Sequence, residues 1–232
     1  MKITIVIPCF NESESLSKLI EALKSVDSSF KFIIVDNGST DNTQEIISLL
    51  DIPNNIEFIK KEINTGYGAG IKYGLKRVKS EYAGWMHGDL QQDPHVLLNA
   101  KTLMESFKDQ GINELMAFKG LRTGRSIKEN LFTTGVALLS SALFINYFWD
   151  MAGQPTIFKT SILTFLDNAP DDHNFEFYVY INFLSKKGTF KRFNAPFLKR
   201  KFGVSSWDKG FRSKLNHAKS VFKYLIKLRF NS

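Results

Sequence analysis

Phe32-Ile33-Ile34-Val35-Asp36-Asn37-Gly38-Ser39-Thr40-Asp41 is an apolar run that stops at a carboxylate and passes straight into turn chemistry. Four apolar residues in a row, bounded by polar ones, read as a strand buried on both faces, and Asn-Gly-Ser-Thr as the turn that leaves it. Asp41 or Thr40 then caps a helix running to Leu50. Asp36 takes two readings. At the end of a buried strand it is placed to hydrogen-bond a nucleotide's base or ribose, or it only forms the turn ahead of the helix cap.

The same grammar extends on both sides. Ile3–Ile7 is a strand, and Ser13–Leu23 a helix with Leu16, Leu19, Ile20 and Leu23 on one face. Ile56–Ile59 is a third strand, Gly70–Val78 a helix, and Ala83–Met86 a fourth strand that breaks at His87-Gly88-Asp89. Such alternation implies an α/β fold with a mainly parallel sheet and right-handed crossovers, with ligands at the carboxyl ends of the strands. Asp36 and Asp89 should therefore face one crevice. Beyond residue 94 the pattern is less regular: helices around 95–108 and 131–149, and strand-like segments at Gln154–Phe158 and Thr189–Lys191.

Composition narrows the class. The 232 residues are 43% hydrophobic and 13% aromatic, enough for one packed core. One cysteine, Cys9, excludes an internal disulfide and fits a reducing compartment. The apolar run Ile3–Pro8 is too short for a secretory signal. Of the net charge of +8, the tail from Pro196 to Ser232 holds ten Lys/Arg against Asp208 alone, which leaves residues 1–195 at −1. A near-neutral body with one basic end argues against nucleic acid and for a local contact such as anionic lipid head groups. Residues 211–232 read as a basic amphipathic helix, with Phe211, Leu215, Ala218, Phe222 and Leu225 on one face and Arg212, Lys219, Lys223 and Lys227 on another. Leu131–Trp149 is 19 residues without a charge, but its Thr, Ser, Gly and Asn content favours a helix buried in protein or lying at a membrane surface over a membrane span.

Two further stretches carry chemistry. Asn64-Thr65-Gly66-Tyr67-Gly68-Ala69-Gly70 allows close backbone approach to phosphate or ribose. It is not a dinucleotide fingerprint, because Ile71 stands at the third glycine position and the acidic residue precedes the glycines. His87-Gly88-Asp89-Leu90-Gln91 puts ligand-capable side chains at alternate positions after a strand, so His87, Asp89 and Gln91 can meet one divalent cation. The alternative is a polar turn with Asp89 capping the next helix.

Taken together, Ile5–Glu12, Val35–Asp41, the Asn64 loop and Gly88–Gln91 resemble family 2 glycosyltransferases, which have the GT-A fold, and among them the polyprenyl-phosphate sugar synthases. The resemblance continues more weakly to about residue 207, through Phe118–Arg122, Gly153–Phe158, Phe175–Phe177, Lys187-Gly188 and Arg200–Ser206. It implies a GT-A domain over 1–210, with a nucleotide-sugar half (1–94) and an acceptor half (95–210), followed by the 211–232 helix. It further implies that Pro8, Phe10, Asn11, Glu12, Asp36, Asn64, Gly66 and Gly88 contact the donor, a GDP- or UDP-sugar. Asp89 and Gln91 would hold Mn²⁺ or Mg²⁺, with Arg200 on the donor's phosphates and Arg122, Gln154 and Ser205 toward the acceptor. Where His87 stands the family usually has a carboxylate; the histidine brings no negative charge and weakens affinity for Mg²⁺. The implied reaction is an inverting transfer to a lipid phosphate on the cytoplasmic membrane face. A saccharide hydroxyl acceptor would need a base, for which Asp172 is preferred over Asp171 and Glu176. A non-catalytic nucleotide-sugar binding module is the alternative that the histidine keeps open.

Overall fold

The computed structural model describes residues 1–199 and 211–230, without the side chains of 127–129, 132, 211–215 and 217. Seven strands form one sheet: β1 (Ile3–Cys9), β2 (Phe30–Asn37), β3 (Ile56–Lys61), β4 (Tyr82–Trp85), β5 (Met116–Thr123), β6 (Thr156–Lys159) and β7 (Thr189–Pro196), in the order β3-β2-β1-β4-β6-β5-β7. Pairing is parallel except where β6 meets β4 and β5. Central parallel strands are covered on both sides and so read as unbroken apolar runs. Accordingly β1 is buried almost throughout, and its register sets Cys9 beside Asp36 at the carboxyl end.

Helices α1 (Ser13–Lys24) and α4 (Val96–Ser106) cover one face, where Leu16, Leu19, Ile20 and Leu23 are buried as their spacing requires. On the other face lie α3 (Tyr67–Leu75) and α6 (Phe175–Ser185), packed around Trp85, whose indole stacks on Phe158 and meets Phe175 edge-on at 5.3 Å. Between β2 and β3 is α2 (Thr43–Leu49); Asp41, rather than Thr40, accepts from the Thr43 amide at 3.1 Å.

Two expectations shift. The uncharged stretch does not make a helix over 131–149: α5 spans Ile127–Phe144, and Ile145 turns out at φ 51° into a loop. Its outer side is bare at Leu138, 67% exposed, and Ile145 just past its end is 87% exposed. The C-terminal helix α7 (Phe211–Phe230) is present, but the face it buries is rotated by about one position. Val221 and Leu225 are buried against Phe148, Phe177, Tyr180 and Ile181, while Phe222 is exposed. The partner surface chose the face, taking Val221 in place of the Phe222 that the apolar spacing had put there. Among the described residues no helix is long and apolar enough to cross a membrane.

Candidate active site

The loops leaving β1 and β2 are stitched together. Asn11, at φ 55°, donates its amide to Ser39 Oγ at 3.0 Å and accepts from the Thr40 amide at 2.8 Å; Asp41 accepts from the Ser13 amide at 3.3 Å. Asp36 is 1% exposed, with Oδ1 receiving the Ser39 amide at 2.9 Å and Oδ2 the Gln44 side chain. Its carboxylate therefore shapes the loop, and a nucleoside would have to displace Gln44 to reach it. Phe10 is exposed beside this loop, whereas Glu12 turns inward to accept from Ser15 Oγ at 2.7 Å. Pro8 faces α3, where a Cβ on Gly70 would approach its own Cβ to 3.1 Å.

Gly38 allows the next contact. Its φ is +77°, and a Cβ there would lie 2.6 Å from the Asn64 amide nitrogen, so only glycine lets the β2 turn lie on the Asn64 loop. Asn37 completes the join, donating to Asn64 Oδ1 at 3.3 Å and to the Gly66 carbonyl at 2.9 Å.

After β4 comes the candidate metal segment. Gly88 packs so closely on the buried Cys9 that a Cβ would sit 2.7 Å from its sulfur, so this glycine serves the core beneath the site. Leu90 takes φ 55°, and the Gln91 amide donates to Asp89 Oδ1 at 3.1 Å. Gln91 also docks the segment after β7: its carbonyl accepts from the Leu198 amide at 2.7 Å, and its side-chain nitrogen donates to the Leu198 carbonyl at 3.4 Å. Among the described residues no three His, Cys, Asp or Glu side chains converge as a cation cage. The donor set this segment offers is one carboxylate, Asp89, with the His87 imidazole and the Gln91 amide two positions away on either side in the sequence. That set fits Mg²⁺ or Mn²⁺ arriving with a diphosphate, since such ions commonly use one or two carboxylates plus substrate phosphates.

The glycine loop is clamped to the segment before α6. Cβ atoms on Gly66 and Gly68 would each fall 2.3 Å from a backbone oxygen, of Asp171 and Pro170 respectively. The Ala69 amide donates to the Asp171 carbonyl at 3.1 Å, and Lys72 Nζ pairs with Asp171 Oδ1 at 2.8 Å. Asp172 thus lies against the candidate donor loop. Its carboxylate accepts from the Asn174 amide and side chain at 2.8 and 2.9 Å, in the manner of a cap on α6.

Glu176, Arg122 and Gln154 are committed inside the protein. Glu176 is buried and accepts from Trp85 Nε1 at 2.7 Å, Gln154 Nε2 at 2.7 Å, Tyr67 Oη at 3.2 Å and Lys119 Nζ at 3.2 Å. Four donors leave it no reach toward an acceptor hydroxyl. Lys119, fully buried, has its pKa pulled down to about 8 by desolvation, against the opposing pull of Glu176. The Arg122 guanidinium donates to Asp150 Oδ1 at 2.8 Å through Nε, while the Arg122 amide donates to Oδ2 at 2.9 Å. Burial raises the pKa of Asp150, but the charge and bonds of Arg122 outweigh it and leave a net depression. Gln154, expected toward the acceptor, is 1% exposed and turned to Glu176. Neither Lys119 nor Tyr67 stood out in the sequence as a site residue; a lone lysine in the apolar run Ala117-Phe118-Lys119 was the available signal. Arg200 and Ser205 lie outside the described residues.

A family model described as Glycosyl transferase family 2 matches residues 4–114. That stretch is similar to family 2 glycosyltransferases. The undecaprenyl-phosphate 4-deoxy-4-formamido-L-arabinose transferase of Yersinia enterocolitica is 32% identical over 114 residues, 47% of this chain and 35% of that protein. Its namesake from Yersinia pestis (strain Pestoides F) is 33% identical over 99 residues, 40% of this chain and 30% of that protein. The chain thus matches about a third of the length of these relatives. In three dimensions, glucosyl-3-phosphoglycerate synthase from Mycobacterium tuberculosis, solved with Mn²⁺, UDP and phosphoglyceric acid, superimposes with a TM-score of 0.74 at 16% identity, over 98% of this chain and 78% of that one. The same enzyme with Mg²⁺ and UDP gives 0.71 at 16% identity, over 98% and 79%. At such identity the likeness establishes the fold, GT-A, with its mostly parallel sheet flanked by helices.

Proposed function

We propose that this chain is an inverting glycosyltransferase that moves a sugar from a GDP- or UDP-sugar to a polyprenyl-phosphate-like acceptor at the cytoplasmic face of a membrane. The observation that carries the reading is the gathering of Asp89, the Asn64–Gly66 loop and the stitched β1 and β2 turns at the carboxyl ends of parallel strands, within the stretch that a family 2 glycosyltransferase model matches. The relatives named for transfer to undecaprenyl phosphate support the acceptor class.

In this reaction an acceptor oxygen forms a bond to the sugar's C1 as the bond from C1 to the donor's β-phosphate oxygen breaks, and the nucleoside diphosphate leaves. Asp89 would hold Mn²⁺ or Mg²⁺, which when bound would supply charge neutralisation for that leaving group. His87 and Gln91 are the neutral donors flanking Asp89, a set that favours Mn²⁺. Arg200 is assigned to the donor's phosphates. A phosphate acceptor is already ionised at neutral pH and needs no base.

A second reading, transfer to a saccharide hydroxyl, is favoured by one observation: the Asp171–Asp172 segment is fastened to the glycine loop, which sets a carboxylate near the donor side. Membrane contact is assigned to α7, whose Lys219, Lys223, Lys227 and Arg229 are exposed, aided by the bare outer side of the adjoining α5. Arg229 Nε donates to the Leu143 carbonyl at 2.9 Å and ties the two helices together.

The test is a thermal-shift panel of GDP, UDP and their sugars with Mg²⁺ or Mn²⁺, followed by turnover of the sugar that binds. Asp89→Ala should lower turnover by about 100-fold or more, the scale of losing one transition-state charge stabiliser. Metal-dependent binding without any turnover would instead indicate the binding module.

A further inference from the structure

Tyr67 stands where three parts of the site meet. It follows Gly66 and opens α3, so it belongs to the donor-side glycine loop. Its ring centroid lies 5.2 Å from that of His87, in the candidate metal segment, and 5.6 Å from that of His173, which follows Asp172. Its hydroxyl receives a hydrogen bond from Gln154 Nε2 and donates to Glu176 Oε1 at 3.2 Å, so both sides of the oxygen are committed. Glu176 is in turn held from β4 by Trp85 and from β5 by Lys119.

A buried carboxylate with four donors is a rigid anchor, because removing any one donor leaves an uncompensated polar group. Of its four donors, Tyr67 is the one that belongs to the donor-side glycine loop. Aromatic rings at 4.5–7 Å attract one another with a preferred geometry, so a tyrosine locked at its hydroxyl fixes the rings packed on it. We propose that Tyr67 is a positioning residue: latched to Glu176, it holds the His87 imidazole beside Asp89 and so sets how well the site binds a divalent cation together with a nucleoside diphosphate. The contact with His173 couples the same ring to the acceptor-side segment. This inference rests on the donor-site reading above.

The experiment is calorimetric titration of the full chain with UDP and with GDP, with and without Mn²⁺, and needs no turnover. Tyr67→Leu should weaken Mn²⁺-dependent nucleotide binding about fivefold, the scale of one aromatic contact, and leave metal-free binding within about twofold. Tyr67→Phe, which keeps the ring and loses the latch, and Glu176→Gln, which keeps the shape and loses the charge, should each shift it the same way by less. In a His87→Ala background Tyr67→Leu should add nothing to the metal dependence, since the two act through one contact. Additive losses, or a folded Tyr67→Leu protein with the metal dependence of the wild type, overturn the proposal. Should Tyr67→Leu not fold, the Phe and Gln variants decide on the same criterion. A wild-type chain with no metal-dependent binding of either nucleotide overturns the donor-site reading, and the proposal falls with it.

Discussion

The Ala69 amide and the Asp171 carbonyl are joined by a 3.1 Å hydrogen bond, and around it the Gly66 and Gly68 backbones lie too close to residues 170–172 for any side chain. Donor-side loop and acceptor-side segment are thereby one rigid unit. Gly68→Ala would force a methyl to within 2.3 Å of the Pro170 oxygen. The expected cost is about 1–3 kcal/mol of stability, as for other overpacked sites, with weaker nucleotide binding. Denaturant melts and calorimetry check both; an Ala variant with unaltered stability would contradict the clamp.

Asp172→Asn separates the two acceptor readings. If a hydroxyl attacks, turnover should fall about 10²–10⁴-fold, the usual contribution of a general base. With a phosphate acceptor, turnover should stay within a few-fold, because an amide oxygen still accepts from the Asn174 amide.

Arg122 is predicted to act first on the fold. Removing one partner of a buried ion pair strands the other charge, at about 3–5 kcal/mol. The Arg122 side chain is 14% and that of Asp150 4% exposed. Arg122→Ala should therefore lower Tm by roughly 10 °C, and Asp150→Ala by a similar amount. An Arg122→Ala protein that melts like the wild type, yet loses acceptor affinity, would restore Arg122 to the acceptor site.

Lys119 gives a pH signature. Burial pulls its folded pKa down to about 8 from the ordinary 10.5, so between those values the unfolded chain holds a proton that the folded one has released. Stability contributed by this residue must rise with pH across that window. Relative to Lys119→Met, the wild type should gain up to about 3 kcal/mol from pH 8 to 10.5, at 1.36 kcal/mol per unit. Parallel pH profiles for the two proteins would refute the assignment.

Membrane contact is tested by flotation with vesicles containing anionic lipid. Leu138→Asn with Ile145→Asn should reduce binding, and neutralising Lys223 and Lys227 should cost about 1 kcal/mol per charge at low salt. Binding that survives both changes would exclude this pair of helices as the docking surface.

The first half of the fold was legible because each element there announces itself locally. The runs Ile3–Ile7 and Phe32–Val35 are apolar over lengths that suit buried strands, Leu16, Leu19, Ile20 and Leu23 repeat with a helical period, and Asp36-Asn37-Gly38 and Gly88-Asp89 punctuate the exits from the second and fourth strands. The second half was harder to read. The strand at Met116–Thr123 carries a lysine and an arginine, and the helix at Phe175–Ser185 is apolar nearly all round, so neither shows a clean period.

From the sequence alone came the α/β order, the crevice at the strand ends, and the His87-Gly88-Asp89 segment beside the Asn64 loop, since all of these follow from short-range patterns of apolar and turn residues. Only the tertiary structure decided what the polar residues of that crevice do. It gave Gly88 to Cys9, Arg122 to Asp150 and Gln154 to Glu176, and it tied the glycine loop to Asp171. These partners lie 22 to about 100 residues apart along the chain, and each pairing reflects the need to satisfy or closely pack a buried group, which no local pattern encodes.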